Sequence, residues 1–254
     1  MSPVPASKSA QLGLGHGGLG ASHLANGHAV RQTSPLSAAR PLAELMLPGI
    51  AQVRAQAEPF ARAWQAANKE ARESSAPLWV ALGDSMTQGI GAASIHGGWV
   101  GQLQAPLTRA GSPLRVVNLS VTGAGIADVL ASQVPELAQL ASRTTLVTVL
   151  AGANDMFPRH RRQHAVTAMA GLLTALPAGK SIVATLPRRN PAALAINALI
   201  DSAATQGMIT VAELRGMTLR SLIGTRAADL FHPNERGYAG LADTFAQAVH
   251  AHLA

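Results

Sequence analysis

Four short stretches of the chain carry side chains that could do chemistry together. Gly83-Asp84-Ser85-Met86-Thr87-Gln88-Gly89 offers a hydroxyl in a glycine-bounded turn, and Ser120-Val121-Thr122-Gly123 ends on a residue whose backbone can approach a ligand closely. Gly152-Ala153-Asn154-Asp155 offers a carboxamide, and Asp229-Leu230-Phe231-His232-Pro233 couples a carboxylate to an imidazole three residues on. A hydroxyl, a base that titrates near neutrality, a carboxylate and amide donors make up the inventory of acyl transfer by a serine. Each stretch alone has a plainer reading. Gly-Asp-Ser is a turn leading into a helix cap, Gly123 a loop glycine, Asn154-Asp155 a turn, and Asp-x-x-His-Pro a helix start. What singles them out is their joint occurrence, each at the end of an apolar run or ahead of the last helical stretch.

Other chemistries find little support. There is no cysteine, which removes thiol nucleophiles, disulfide scaffolds and thiolate metal sites. His160 with His164 and His250 with His252 lack a third ligand at metal-binding spacing, so no metal is expected. Walker-type and dinucleotide-type glycine loops are absent, and so is the nucleophile elbow G-x-S-x-G, because Thr87 stands two residues after Ser85. The ordinary α/β-hydrolase fold is therefore not expected.

The four stretches resemble the motif blocks of the SGNH hydrolases, the GDSL esterase and lipase superfamily, and the resemblance runs from about residue 78 to the end. It implies that Ser85 is the nucleophile, that Gly123 and Asn154 supply oxyanion-hole donors, and that Asp229 and His232 complete the catalytic set. Met86 stands where Leu is common in the family, a volume-conserving change. Physical chemistry is consistent with each role. Ser85 follows a strand and opens a helix, so its own amide can join Gly123 and Asn154 around a developing oxyanion. On one turn Asp229 can reach Nδ1 of His232 and hold Nε2 ready to accept the serine proton. The implied activity is hydrolysis of a carboxylic ester through an acyl-enzyme, without a cofactor; acyl esters, thioesters, lysophospholipids and O-acetyl sugars are all candidate substrates. The alternative is a catalytically silent binding or scaffold protein that keeps the fold. Intact Ser85, Asn154, Asp229 and His232 favour the enzyme.

These residues need a scaffold, and the pattern after Pro77 supplies one. Short runs rich in Val, Leu and Ile at 78–82, 114–119, 146–150 and 181–186, with a weaker one at 208–211, read as buried strands. Between and after them, 98–110, 126–139, 163–176, 191–206 and 235–253 read as helices. Strict alternation predicts an α/β fold, a flavodoxin-like doubly wound parallel sheet of about five strands with helices on both faces. Ligands then bind beyond the carboxyl ends of the strands, where the four stretches lie.

We assign residues 76–254 to this catalytic domain, 40–75 to a helical extension and 1–39 to a flexible tail rich in Gly, Ala, Ser and His. In the extension Met46, Ile50, Val53, Ala57, Phe60 and Trp64 fall on one helical face, and Pro48 and Pro59 predict a kink or two shorter helices. It reads as an added helix on the domain surface, with a lid or a homo-oligomer arm as the alternative. The net charge is +7, yet aromatic residues are only 3% and no run of five like charges occurs, which argues against a nucleic-acid partner. No stretch of 18 apolar residues and no signal-peptide pattern is present, so a cytoplasmic protein without a transmembrane segment is expected. Arg159, Arg161 and Arg162 follow the third strand and Arg188 and Arg189 the fourth. Arg188 and Arg189 are accordingly candidate substrate-binding residues for an anionic ester.

Overall fold

Apolar residues at successive positions need burial on both faces of a sheet, and the runs after Pro77 find it. The computed structural model describes residues 48–109, 111–156, 159–187, 190–217 and 223–253. The 1–39 segment lies outside them, as do Arg188 and Arg189. Two helices come first, α1 (Pro48–Arg54) and α2 (Ala57–Glu73). Then follow β1 (Leu78–Gly83), a short α3 (Ser85–Gln88), α4 (Trp99–Arg109) and β2 (Arg115–Asn118). The helix α5 (Ile126–Asp128) runs through a π-helical turn (Val129–Gln133) into α6 (Val134–Gln139). The chain continues as β3 (Thr144–Leu150), α7 (Arg159–Ala175), β4 (Ser181–Ala184), α8 (Pro191–Thr205), β5 (Thr210–Ala212) and α9 (Glu235–Leu253).

The five strands form one parallel sheet in the order β2-β1-β3-β4-β5, the flavodoxin-like order expected from the alternation of elements. Side chains alternate faces along β1. Leu78, Val80 and Leu82 join Val117, Val147, Val149 and Val183 in a core with Ile126, Leu172 and Ile196 of the helices on that side. Trp79 and Ala81 face the other way, toward Trp99, Leu103, Tyr238 and Phe245. There the rings of Trp99 and Phe245 stack at 4.1 Å, and the buried indole N–H of Trp79 donates to Thr148 Oγ1 at 2.8 Å. Both tryptophans are fully buried. Among the described residues no helix is long and apolar enough to cross a membrane.

Met46 of the expected helical face lies outside the described residues; over 48–64 that face divides in two, with the break at residues 55 and 56. Pro48 opens α1 and Pro59 lies in the first turn of α2, where a missing amide removes no intrahelical bond. On α2 the buried Phe60, Ala61, Trp64 and Ala71 form an inward stripe that also contains the polar Asn68. Asn68 exchanges two bonds with the backbone of Asn118, Nδ2 to O at 2.7 Å and N to Oδ1 at 2.7 Å. The outer edge of β2 is thus completed by a helix side chain, which answers the open donors and acceptors of an edge strand.

The order of the strands decides where a ligand can sit. The connections after β1 and β3 leave to opposite sides of the sheet, so the carboxyl ends of these neighbours open a crevice. Gly83 pairs with Leu150 at that end, which brings the residues after both strands to one place.

Candidate active site

Gly83 closes β1 at φ 150°, and a Cβ there would stand 2.2 Å from the carbonyl oxygen of Leu150, so only glycine fits. Its N–H and C=O are both taken by the buried amide of Gln133, at 2.9 and 2.8 Å. The π-helical turn puts Gln133 there, and nothing in the apolar pattern of 126–139 signals it. Asp84 is the N-cap of α3, accepting from the amide of Met86 at 2.9 Å, and Ser85 begins the helix.

A buried polar network behind α3 fixes its orientation. Asn118 Nδ2 donates to the carbonyl of Thr87 at 2.9 Å, and Gln88 Nε2 donates to that of Ser120 at 3.1 Å. Thr122 Oγ1 donates to Gln88 Oε1. The segment carrying Gly123 is therefore tied to the turn carrying Ser85. Gly123 has φ 81°, in the left-handed region, and its carbonyl accepts from Arg161 at 3.3 Å.

Past β3, Asn154 donates from Nδ2 to the carbonyl of Ala124 at 3.0 Å and makes a long contact of 3.4 Å with Asp84 Oδ2. Asp155 receives the amide of Ile126 at 3.0 Å and so starts α5. Both Asp84 and Asp155 accept amides at the start of a helix. Burial pushes the Asp84 carboxyl up to about 7, against the opposing pull of the Met86 amide and of His232, and burial also raises Asp155.

The remaining two residues arrive from the far end of the chain. Asp229 Oδ1 accepts the amides of Phe231 and His232, each at 3.0 Å, and Asp229 Oδ2 lies 2.5 Å from His232 Nδ1. Leu230 takes the left-handed conformation, φ 58°, and points to solvent, which lets the chain fold back so tightly. His232 Nε2 lies 2.9 Å from Ser85 Oγ. Burial alone would raise Asp229, but the bonds from His232 and the two backbone amides outweigh it and hold the carboxyl below its ordinary value. A carboxylate held ionised against Nδ1 leaves Nε2 as the acceptor facing the hydroxyl.

Pro233 stands ahead of α9, which begins at Glu235. Asn234 takes the cap, with Oδ1 accepting the Gly237 amide at 3.1 Å, and Pro233 forms a bridge with Arg226. The loop is further held by Arg226, which donates to the carbonyl of Phe231, and by the Ala227 amide, which donates to that of His232 at 2.8 Å.

A cavity of about 620 Å³ opens beside this chain of bonds. Asp84 and Met86, on either side of Ser85, line it together with Phe231 and Pro233, on either side of His232. Its other walls come from the ends of β3, β4 and β5 and from one side of α9. Cavity residues such as Arg226 and Arg236 were not anticipated from the sequence, because neither belongs to a motif nor stands at a strand end. Among the described residues no three His, Asp or Glu side chains gather as they would around a metal ion.

Similarity to known proteins agrees with this architecture. Residues 81–239 match the model of the GDSL-like lipase/acylhydrolase family. The fold is similar to that of the psychrotrophic esterase EstA from Pseudoalteromonas sp., at 18% identity and TM-score 0.55, over 69% of this chain and 98% of that one. It is also similar to TesA, at 22% identity and TM-score 0.56, over 69% and 99%. A family 3 carbohydrate esterase of Clostridium thermocellum aligns at 17% identity and TM-score 0.56, over 69% and 96%. No curated protein matches the chain significantly by sequence. The family match takes in more than half of the chain, including Ser85, Gly123, Asn154 and the Asp229–His232 pair, and the chain belongs to the GDSL-like lipase/acylhydrolase family.

Proposed function

We propose that this protein hydrolyses a carboxylic ester through an acyl-enzyme on Ser85, with His232 as general base and Asp229 as its orienting carboxylate. The observation that carries the reading is the continuous chain from Asp229 Oδ2 through His232 to Ser85 Oγ, at 2.5 and 2.9 Å. In the first half-reaction Nε2 takes the hydroxyl proton as Oγ bonds to the ester carbonyl carbon, and the carbonyl oxygen becomes an oxyanion. The imidazolium so formed is stabilised by Asp229 and then passes its proton to the departing alcohol as the carbon–oxygen bond breaks. Water repeats the sequence on the acyl-serine, releases the acid and restores Ser85.

The oxyanion donors in this reading are the amides of Ser85 and Gly123 and the side chain of Asn154. Asn154 is held by its bond to Ala124, while its contact to Asp84 is long enough for the second amide hydrogen to turn toward an oxyanion. Acyl esters, thioesters, lysophospholipids and O-acetyl sugars all contain the carbonyl this machinery needs.

A series of p-nitrophenyl esters from acetate to decanoate, run on the wild type and Ser85→Ala, tests the proposal. Serine-dependent release is expected on at least one chain length, together with a fluorophosphonate adduct on Ser85. Release that persists undiminished in Ser85→Ala, or none from the wild type on any ester, contradicts it.

A further inference from the structure

The cavity beside Ser85 combines two surfaces. Its apolar lining includes Met86, Leu150, Met156, Leu186 and Phe231. Its ionisable lining side chains are Asp84, whose carboxyl burial raises to about 7, and Glu213, Arg226 and Arg236. Glu213 is already answered: Arg215 forks both its oxygens at 2.9 Å, and Thr185 donates to it at 2.9 Å. This pairing with Arg215 drives the Glu213 carboxyl down to about 2.

The two arginines differ from it. Arg226 donates to a carbonyl, that of Phe231, and to no carboxylate among the described residues. Arg236 is exposed on the first turn of α9 and makes no hydrogen bond or ion pair among the described residues. Neither has a carboxylate within ion-pair distance among those residues. A hollow of this volume, with apolar walls and two arginines that make no ion pair among the described residues, is complementary to a molecule with one apolar and one anionic part. Guanidinium groups favour carboxylate and phosphate oxygens, which match their forked donors.

We infer that the cavity is the binding site for an anionic amphiphile, an ester whose apolar chain lies against Met86, Met156 and Leu186 and whose carboxylate or phosphate is held by Arg226 and Arg236. The inference deepens the ester-hydrolase reading and takes its place for the scissile carbonyl, at Ser85, from it. Gly240 gives the cavity its room on the α9 side: it lines the hollow, and a Cβ there meets no atom within 4 Å.

Calorimetric titration of the Ser85→Ala protein tests this without requiring turnover. The probes are octyl phosphate, octanoate, the neutral octyl glucoside and inorganic phosphate. Octyl phosphate or octanoate is expected to bind at least about tenfold more tightly than octyl glucoside or inorganic phosphate, and the better of the two identifies the anionic group. Adding Arg236→Gln, which breaks no bond among the described residues, should remove about fivefold of that affinity, as should raising the salt to half-molar. Gly240→Leu should weaken every ligand that carries a chain and leave inorganic phosphate unchanged. Equal affinity for octyl glucoside and the two anionic amphiphiles, or no response to Arg236→Gln, overturns the inference. Because the titrated protein lacks the serine hydroxyl, intact binding with no ester hydrolysis in the wild type would count against the catalytic reading alone.

Discussion

The indole N–H of Trp64 donates to the carbonyl of Gln88 at 2.9 Å, joining α2 to the last residue of the helix that Ser85 begins. This bond crosses from a segment outside the family match into the turn that carries Ser85. It has company. Gln56 accepts the Gly91 amide at 2.8 Å and donates to the carbonyl of Ala92 at 3.0 Å. Val53 and Phe60 pack with Ile90 and with Ala227, two residues before Asp229, and Gly49 lies so close to Ala228 that a Cβ would reach its carbonyl oxygen at 2.4 Å. The helices before β1 therefore touch both the stretch after Ser85 and the loop that carries Asp229 and His232.

Gln56→Ala removes both bonds of this clamp and leaves a backbone donor and acceptor partly buried without partners. Stability should fall by about 1–3 kcal/mol. Urea denaturation followed by circular dichroism measures it, and kcat on a p-nitrophenyl ester should fall more than KM rises, because the loosened geometry lies between Ser85 and His232 and not in the cavity. An unchanged denaturation midpoint would show that the clamp contributes nothing.

Ser85→Ala and His232→Ala both act on the proposed proton-transfer unit. Each should lower kcat by about 10⁴-fold or more, and the double variant should be no worse than either alone. Asp229→Asn should lower kcat by a smaller factor, about 10² to 10⁴, since the backbone amides of Phe231 and His232 still shape the turn. Steady-state kinetics on the best ester of the chain-length series decides between this pattern and additive losses.

Asn154→Ala deletes one proposed oxyanion donor. The expected result is a fall of about 10²–10³ in kcat with KM within about threefold of the wild type, the sign of an interaction made in the transition state. A rise in KM with kcat unchanged would assign Asn154 to substrate binding instead.

Asp84 makes stability depend on pH. Its carboxyl, raised by burial to about 7 in the folded protein, stands near 3.8 when unfolded, so between those values the folded state keeps a proton that the unfolded state has lost. The stabilisation is complete below the unfolded value and is lost as pH rises through about 7, with an upper bound of about 4 kcal/mol from the size of the shift. The positive form of His232 opposes the rise and Asp155 reinforces it. Asp84→Asn keeps an oxygen for the Met86 amide and carries no charge. Relative to the wild type it should be more stable at pH 8.5 than at pH 4.5 by a few kcal/mol, measured by denaturation at both values; an equal difference at the two would remove Asp84 as the titrating group.

What the sequence determined by itself is the local order. Runs of Val, Leu and Ile must be buried wherever they lie, so the five strands and the helices between them were legible, with ends displaced by a few residues at most positions. The α7 helix begins at Arg159 and not at 163, because polar residues such as Arg161 and Arg162 carry no apolar signal although their backbone is helical. The four motif stretches were legible for the same local reason, since each combines reactive side chains with glycines or prolines that bend the chain around them. Tertiary structure alone decided the rest. Gln133 reaches Gly83 through a π-helical turn, Asn68 completes the edge of β2, and Arg226 and Arg236 line one cavity with Met86, all of them residues far apart in sequence. The distance between Ser85 and His232, 147 residues apart along the chain, is likewise set by how β1 and α9 pack on one sheet, and no local pattern encodes it.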